Sequence, residues 1–346
     1  MKKAFALLLA CVLTLSLVAC GGGKTETPKE ETTKTEEPAK KEEAPKAEET
    51  KVDYPTKPIT MIVPFGAGGG TDVMARAIAT AVDLPQPITV TNIEGGGSSI
   101  GAMEAYHADP DGHTLFCVGL EPIIAGVYSG TYPEKDSYEK FIPLCSAADD
   151  QFIVMASKAS GIKNLEEAVA AANAGKISIA ATGSMSITHA ATLMFFEACD
   201  IDVQYVPYEG AAKARTAVMG GHNELGIMLV SEATPAIESG EVVPICVLGS
   251  ERCEFFPDVP CVSEVGDYDL DVSFHRAFFC TPGTPQEIVD ILGEAFQKAC
   301  EDPEIQQTLR DLNYAPNYIG AKDLKAVGDV RYVDLKPVFE DMVANK

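Results

Sequence analysis

Basic side chains are scarce: the 346 residues hold 27 Lys+Arg against 51 Asp+Glu, a formal net charge of −24. The first 53 residues carry 9 basic and 10 acidic side chains, which leaves 18 against 41, or −23, on the remainder. A field of that sign repels nucleic acid and excludes it as a partner, and it also opposes an anionic ligand at long range, so any anion site must rest on local donors. Metal-ligand spacing is missing as well. There is no Cys-x-x-Cys and no His-x-x-x-His, so neither a metal centre nor a cofactor is expected. The apolar run Ala4 to Val18 is shorter than the roughly 18 residues that read as a membrane span.

Two nucleotide motifs are absent where they would have to stand. Residues 59–79 read as a buried strand (ITMIVPF), a glycine loop (GAGGG) and an amphipathic helix with apolar residues at Val73, Met74, Ala77 and Ile78. The loop ends Gly70-Thr71-Asp72, not the Gly-Lys-Ser/Thr of a P-loop, and Thr71 stands where a dinucleotide fingerprint starting at Gly66 needs Gly or Ala. What remains is a loop nearly free of side chains, with Gly66, Gly68, Gly69 and Gly70 letting backbone N–H groups approach a ligand at a helix start. An anion suits that place.

The chain opens with Lys2 and Lys3, the apolar run, and Leu17-Val18-Ala19-Cys20. This reads as a signal peptide over 1–19. Its end resembles a bacterial lipobox, which implies lipid attachment at Cys20. Residues 20–53 are Lys, Glu, Thr, Pro and Ala with no aromatic side chain until Tyr54; too polar to build a core, they read as a disordered tether reaching on the order of 100 Å if extended. After Cys11 and Cys20, eight cysteines remain. Cys117, Cys246 and Cys280 lie in apolar strands, where a buried free thiol is the commoner state.

The rest alternates strands and helices: strand Ile88 to Ile93, a second glycine loop and a helix to His107, strand His113 to Gly119 ending at Leu120-Glu121-Pro122, and a strand within Phe141 to Ser157. Next come a helix capped by Asn164, strand Ile177 to Ala181, and a hydroxyl-rich loop with Ser184, Ser186 and Thr188 at the start of helix Ala190 to Cys199. Strands at Val203, Leu225 and Val242 follow, then a return strand Leu270 to Cys280 and helices from Pro285 onward. A βαβ order predicts an α/β fold of parallel sheets with loops at their carboxyl edge. A single excursion and return predicts two lobes, residues 54–153 plus 276–346 and residues 154–275, hinged near 152–156 and 273–277, with the ligand between them.

Gly97-Ser98-Ser99-Ile100-Gly101 matches a nucleophile-elbow pattern, so a secreted serine hydrolase using Ser99 and a histidine such as His275 is the alternative reading. The run of glycines before Ser99 departs from the strand-end context an elbow needs.

Several stretches together resemble one family. Tyr54-Pro-Thr-Lys-Pro-Ile59, Val63-Pro-Phe-Gly-Ala-Gly-Gly-Gly-Thr-Asp72, Pro110-Asp-Gly-His-Thr-Leu115, Tyr205-Val-Pro-Tyr-Glu-Gly210, Phe256-Pro-Asp-Val-Pro260 and Pro282-Gly-Thr-Pro285 look like the substrate-binding proteins of tripartite tricarboxylate transporters, the Bug-type extracytoplasmic solute receptors. The resemblance implies a monomeric, non-enzymatic periplasmic-binding-protein-like clamshell, each lobe a mostly parallel sheet flanked by helices. It would be lipid-anchored on the extracytoplasmic face of the bacterial cell membrane. It would pass a small organic carboxylate, a mono- or dicarboxylate or an amino acid, to a two-subunit integral membrane permease. In that family the carboxylate is gripped between the first loop, here Phe65, Gly68, Gly69, Gly70, Thr71 and Asp72, and the hydroxyl-rich loop, here Ser184, Ser186 and Thr188. Ser231 and Arg276 complete the candidate set. Ala67, Met185 and Glu121 depart from the family pattern, and Glu121, expected at the sheet's carboxyl edge, is a candidate selector against multiply charged ligands.

Overall fold

Residues 52–344, apart from Pro133, Lys176, Asp267 and Asp269, are described by a computed structural model. The expected signal peptide, Cys20 and nearly all of the tether lie outside the described residues. Short apolar runs bounded by glycine and proline become strands, and the 3.6-period segments become helices that cover them. In order these are β1 (Ile59–Val63), α1 (Gly70–Ala81), β2 (Ile88–Asn92), α2 (Ser99–His107), β3 (Thr114–Gly119), α3 (Leu120–Ser129), α4 (Ser137–Lys140) and β4 (Ile142–Ser157). Then come α5 (Leu165–Asn173), β5 (Ser178–Thr182), α6 (Ile187–Cys199), β6 (Gln204–Tyr208), α7 (Ala211–Met219), β7 (Leu225–Leu229), α8 (Val230–Glu238) and β8 (Val242–Val247). The chain ends with α9 (Val262–Val265), β9 (Ser273–Cys280), α10 (Gln286–Glu301), α11 (Pro303–Asp311), β10 (Ala315–Gly320) and α12 (Ala321–Ala344).

The strands run β2-β1-β3-β9-β4-β7-β5-β6, with β8 and β10 also paired to β4. The fold is the expected α/β clamshell type, but its sheet is mixed. β1 pairs with β2 and β3 in parallel, as β5 does with β6 and β7, whereas every pairing of β4 and β9 is antiparallel. The physical reason is the route of the chain: a strand that leaves one half and a strand that returns to it run in opposite directions. β4 is the strand both halves share. Its residues 142–151 pair with β9, and Phe152 to Ser157 pair with β7 and β8. Leu248 N–H donates to Phe152 O at 2.8 Å and Val272 N–H to Leu248 O at 3.1 Å, so the returning chain crosses at the same level.

Strand alternation divides the core. Met61, Val63, Leu115 and Cys117 pack with α1 and α10 on one face, while Ile62, Phe116 and Val118 face α2, α3 and α12 on the other. The second of these cores continues through Phe152, Val154, Ile179 and Phe195 into the other half. α12 buries Leu324, Leu335, Phe339 and Met342; full burial of a side chain such as Phe339 contributes about 1.5–3 kcal/mol. Gly328 is required there, because a Cβ would lie 2.3 Å from the Tyr138 hydroxyl.

Among the elements that differ from the sequence reading are α3 and β10. α3 starts directly after β3, because Pro122 falls in the first turn, where proline costs a helix no hydrogen bond. β10 was not expected: Ala-Pro-Asn-Tyr-Ile-Gly has weak strand propensity, and it is held by antiparallel pairing to β4 across an irregularity in register. All eight described cysteines are buried and free.

Candidate functional site

The first glycine loop is shaped by Asp72. Its Oδ2 accepts from Gly68 N–H at 2.8 Å, and its Oδ1 accepts from Asn92 Nδ2 at 2.9 Å while that amide also donates to Phe65 O. Arg76, one turn on, reaches the same carboxylate at 2.8 Å. Burial alone would raise the Asp72 carboxyl, but Arg76 and the Gly68 and Asn92 hydrogen bonds hold it below the usual carboxylate range. Asp72 is thus a buried brace for the loop, with no edge left for a ligand. Gly68 has φ +77°, which glycine tolerates without strain. Gly69 N–H turns back to Gly66 O at 3.0 Å, and Gly69 caps α1 without any side-chain hydrogen bond. The amides of Gly70, Thr71 and Asp72 therefore have no intrahelical acceptor and no side-chain cap.

Beneath this helix start lies Arg276, 2% exposed. Its guanidinium sits 4.9 Å from the ring centroids of both Phe274 and Tyr314. Nη1 donates to Thr71 Oγ1 at 2.9 Å; Nη2 donates to Asp150 Oδ2 at 2.7 Å and Ser231 Oγ at 3.3 Å; Nε is buried with no hydrogen-bond partner among the described residues. Asp150, from β4 just before it changes partners, accepts from Ser231 N–H at 3.3 Å and Ser231 Oγ at 2.6 Å in the first turn of α8. Burial raises the Asp150 carboxyl even though Arg276 and Ser231 oppose it. Next to Ser231, Glu232 accepts from Leu229 N–H, and burial pushes its carboxyl up to about 6 against the pull of Arg276. Three of the candidate residues, Thr71, Arg276 and Ser231, are thereby linked to one another, with Asp150 as a member the sequence reading did not include. Two adjacent acids inside the apolar run Phe141 to Ser157 were the available signal, since an unpaired buried carboxylate is costly.

The hydroxyl-rich loop is more self-contained. Ser186 Oγ caps α6 by accepting from His189 N–H at 3.1 Å and lies within donating distance of Thr182 O (2.7 Å) and Gly183 O (3.0 Å). Thr188 is buried and accepts from Thr182 Oγ1 at 2.8 Å, while Ser184 is exposed. His189 stacks on Tyr205 at 3.9 Å, and Tyr205 OH donates to Gly183 O at 2.8 Å. Among the described residues no hydrogen bond joins this loop to the Arg276 group.

Glu121 is a correction. It lies in the first turn of α3 and is 1% exposed; Oε2 accepts from His275 N–H at 3.0 Å, and Oε1 is 2.5 Å from His275 Nδ1. Both oxygens are committed inside the protein, so Glu121 faces no ligand and does not pair with Arg276. Burial lowers the His275 pKa, but the charges of Glu121 and Asp149 outweigh it and the net shift is upward. A histidine whose folded pKa is raised stabilises the fold fully below its unfolded pKa of about 6.5 and loses that contribution as pH rises through the folded value. The melting-temperature advantage of wild type over His275→Gln is expected to shrink from about pH 6 to pH 8; an advantage that grows over this range would show that the pair is not held by a charged imidazole.

The hydrolase reading finds no constellation. Ser99 opens α2 after a three-residue turn, the left-handed residue is Ser98 rather than Ser99, and no hydrogen bond links Ser99 to a histidine among the described residues. Surface cavities of about 440 Å³ beside Leu84 and Lys298, and about 260 Å³ beside Thr91 and Glu104, lie away from the α1 start. No group of His, Cys, Asp or Glu suited to a metal occurs among the described residues.

Residues 74–335 match the model of the tripartite tricarboxylate transporter family receptors. The chain belongs to that family. The motif resemblance read from the sequence therefore holds. BugT of Bordetella pertussis is 28% identical over 257 residues, covering 73% of this chain and 79% of BugT. A protein of Agrobacterium vitis, encoded in the TAR-I ttuE-ttuC' intergenic region, is 29% identical over 269 residues, covering 76% and 77%. Among solved structures, the periplasmic binding protein BugD superposes with a TM-score of 0.74 at 27% identity, covering 84% of this chain and 98% of BugD. MatC from Rhodopseudomonas palustris, with bound malate, gives 0.74 at 27%, covering 83% and 100%. In this receptor the uncapped start of α1 lies beside the buried Arg276.

Proposed function

We propose that this receptor binds a small organic carboxylate at the start of α1, between the two halves of the sheet, and delivers it to a two-subunit membrane permease. The observation that carries the reading is the set of uncapped α1 amides directly above a buried, permanently charged guanidinium, a place where an anion meets both a helix terminus and a cation. Malate in the related MatC supports a carboxylate. The two lobes are the halves on either side of the β4 partner change, with closure flexing β4 and the strand that returns beside it. Anchoring through Cys20 rests on Leu17-Val18-Ala19-Cys20; no helix among the described residues is long and apolar enough to cross a membrane.

Isothermal titration with a panel of carboxylates and amino acids tests this. Stoichiometric binding of about −8 kcal/mol, micromolar affinity, without turnover is expected, together with a smaller radius of gyration in solution scattering at saturation. A panel in which no carboxylate binds would refute the reading.

A further inference from the structure

The α1 start is one of two helix starts that meet at Arg276. The other is α8, whose Ser231 offers a backbone N–H and a hydroxyl. These two donors and Arg276 Nη2 form a second anion site, and that site is already filled by the protein's own carboxylate. Asp150 takes Ser231 N–H on Oδ1 and Ser231 Oγ and Arg276 Nη2 on Oδ2, the arrangement a ligand carboxylate would adopt there. The two sites are close. A Cβ on Gly70 would lie 3.3 Å from Arg276 Nη2, the same nitrogen that holds Asp150. Arg276 bridges them, with Nη1 on Thr71 and Nη2 on Asp150, while its buried Nε has no hydrogen-bond partner among the described residues.

Resting on the carboxylate reading of the α1 start, we infer that Asp150 is an internal substitute for a second ligand carboxylate and sets the substrate class to monocarboxylates. One carboxylate of the ligand faces the free amides of Gly70 to Asp72. A second one reaching toward α8 finds its donors occupied and meets the Asp150 charge at short range, with Glu232 adding to the same sign when ionised. Arg276 cannot receive it on that side, because Nη2 is already engaged by Asp150. The part of the ligand lying toward α8 is therefore neutral or cationic. The selection against multiple charge that the sequence suggested for Glu121 is carried by a residue on β4.

Paired ligands separate this inference from the reading beneath it: butyrate against succinate, 3-hydroxybutyrate against malate, and benzoate against phthalate, titrated into the wild-type protein. For pairs in which the monocarboxylate binds, the dicarboxylate is expected to be weaker on the order of 100-fold, the effect of a like charge about 5 Å away at an effective dielectric near 20. Asp150→Asn, which keeps the size of the side chain, should bring the two partners of each pair to within about 10-fold. A dicarboxylate that binds wild type as tightly as its monocarboxylate overturns the inference and leaves the carboxylate reading standing. So does an Asp150→Asn protein that folds and discriminates as before. If Asp150→Asn does not fold, the wild-type comparison decides alone. If no member of any pair binds, the carboxylate reading fails and takes this inference with it.

Discussion

Arg276→Met is expected to lower the stability of the fold by about 3–5 kcal/mol, the cost of removing one partner from a buried ion pair. Methionine fills most of the space between the Phe274 and Tyr314 rings, so loss of volume is not the main term. The main term is Asp150, 3% exposed, whose carboxylate would keep only Ser231 as donor. Thr71 Oγ1 also loses its donor. At roughly 2–4 °C per kcal/mol for chains somewhat smaller than this one, the melting temperature should fall by about 6 °C or more. The deficit should narrow as pH falls toward 4, because burial already raises the Asp150 carboxyl and removing Arg276 raises it further above the unfolded value of about 3.9, so proton uptake then favours the folded state. Denaturant melts of both proteins across that range are the measurement. An Arg276→Met protein within about 1 kcal/mol of wild type at neutral pH would mean that the pair is solvated in solution and is not a buried brace.

Gly70→Val is expected to abolish ligand binding while leaving most of the fold in place. A Cβ at this position would stand 2.9 Å from the Tyr314 hydroxyl and 3.3 Å from Arg276 Nη2, and both neighbours are buried and stacked, so neither can swing away. The α1 start must then shift, and with it the donors of Gly70, Thr71 and Asp72. Micromolar binding corresponds to about −8 kcal/mol, and a helix terminus in favourable, partly buried geometry supplies up to about 2 kcal/mol of that. Displaced by even one ångström, the donors would also lose their alignment with the Arg276 charge, and a loss of more than about 100-fold in affinity is the expected result. Gly68→Ala is the control: nothing lies within 4 Å of its Cβ, and only the strain of φ +77° is added. Titration of a bound carboxylate into both variants decides the matter. Equal affinity of Gly70→Val and wild type would remove the α1 start from the site.

The strand, glycine loop and helix at residues 59–81 were readable because local signals agree there: a short β-rich apolar run, side-chain-free turn residues and a 3.6-residue period. The same agreement located α5 with its Asn164 cap and the free, buried thiols of Cys117, Cys246 and Cys280. α3 was hidden by Pro122, which reads as a breaker unless it is known to stand in a first turn. β10 was hidden because its pairing with β4 supplies what its sequence lacks.

Sequence alone therefore determined the alternation of elements, the glycine loop and the family, since each depends on neighbours along the chain or on motifs in order. Tertiary structure alone decided the partners of the charged side chains. Glu121 and Arg276 lie 155 positions apart and could have met, yet His275 and Arg276 point to opposite faces of β9, so Glu121 goes to His275 and Asp150 to Arg276. Which buried charge neutralises which is set by the register of β9 against β4, a long-range property that no local pattern encodes.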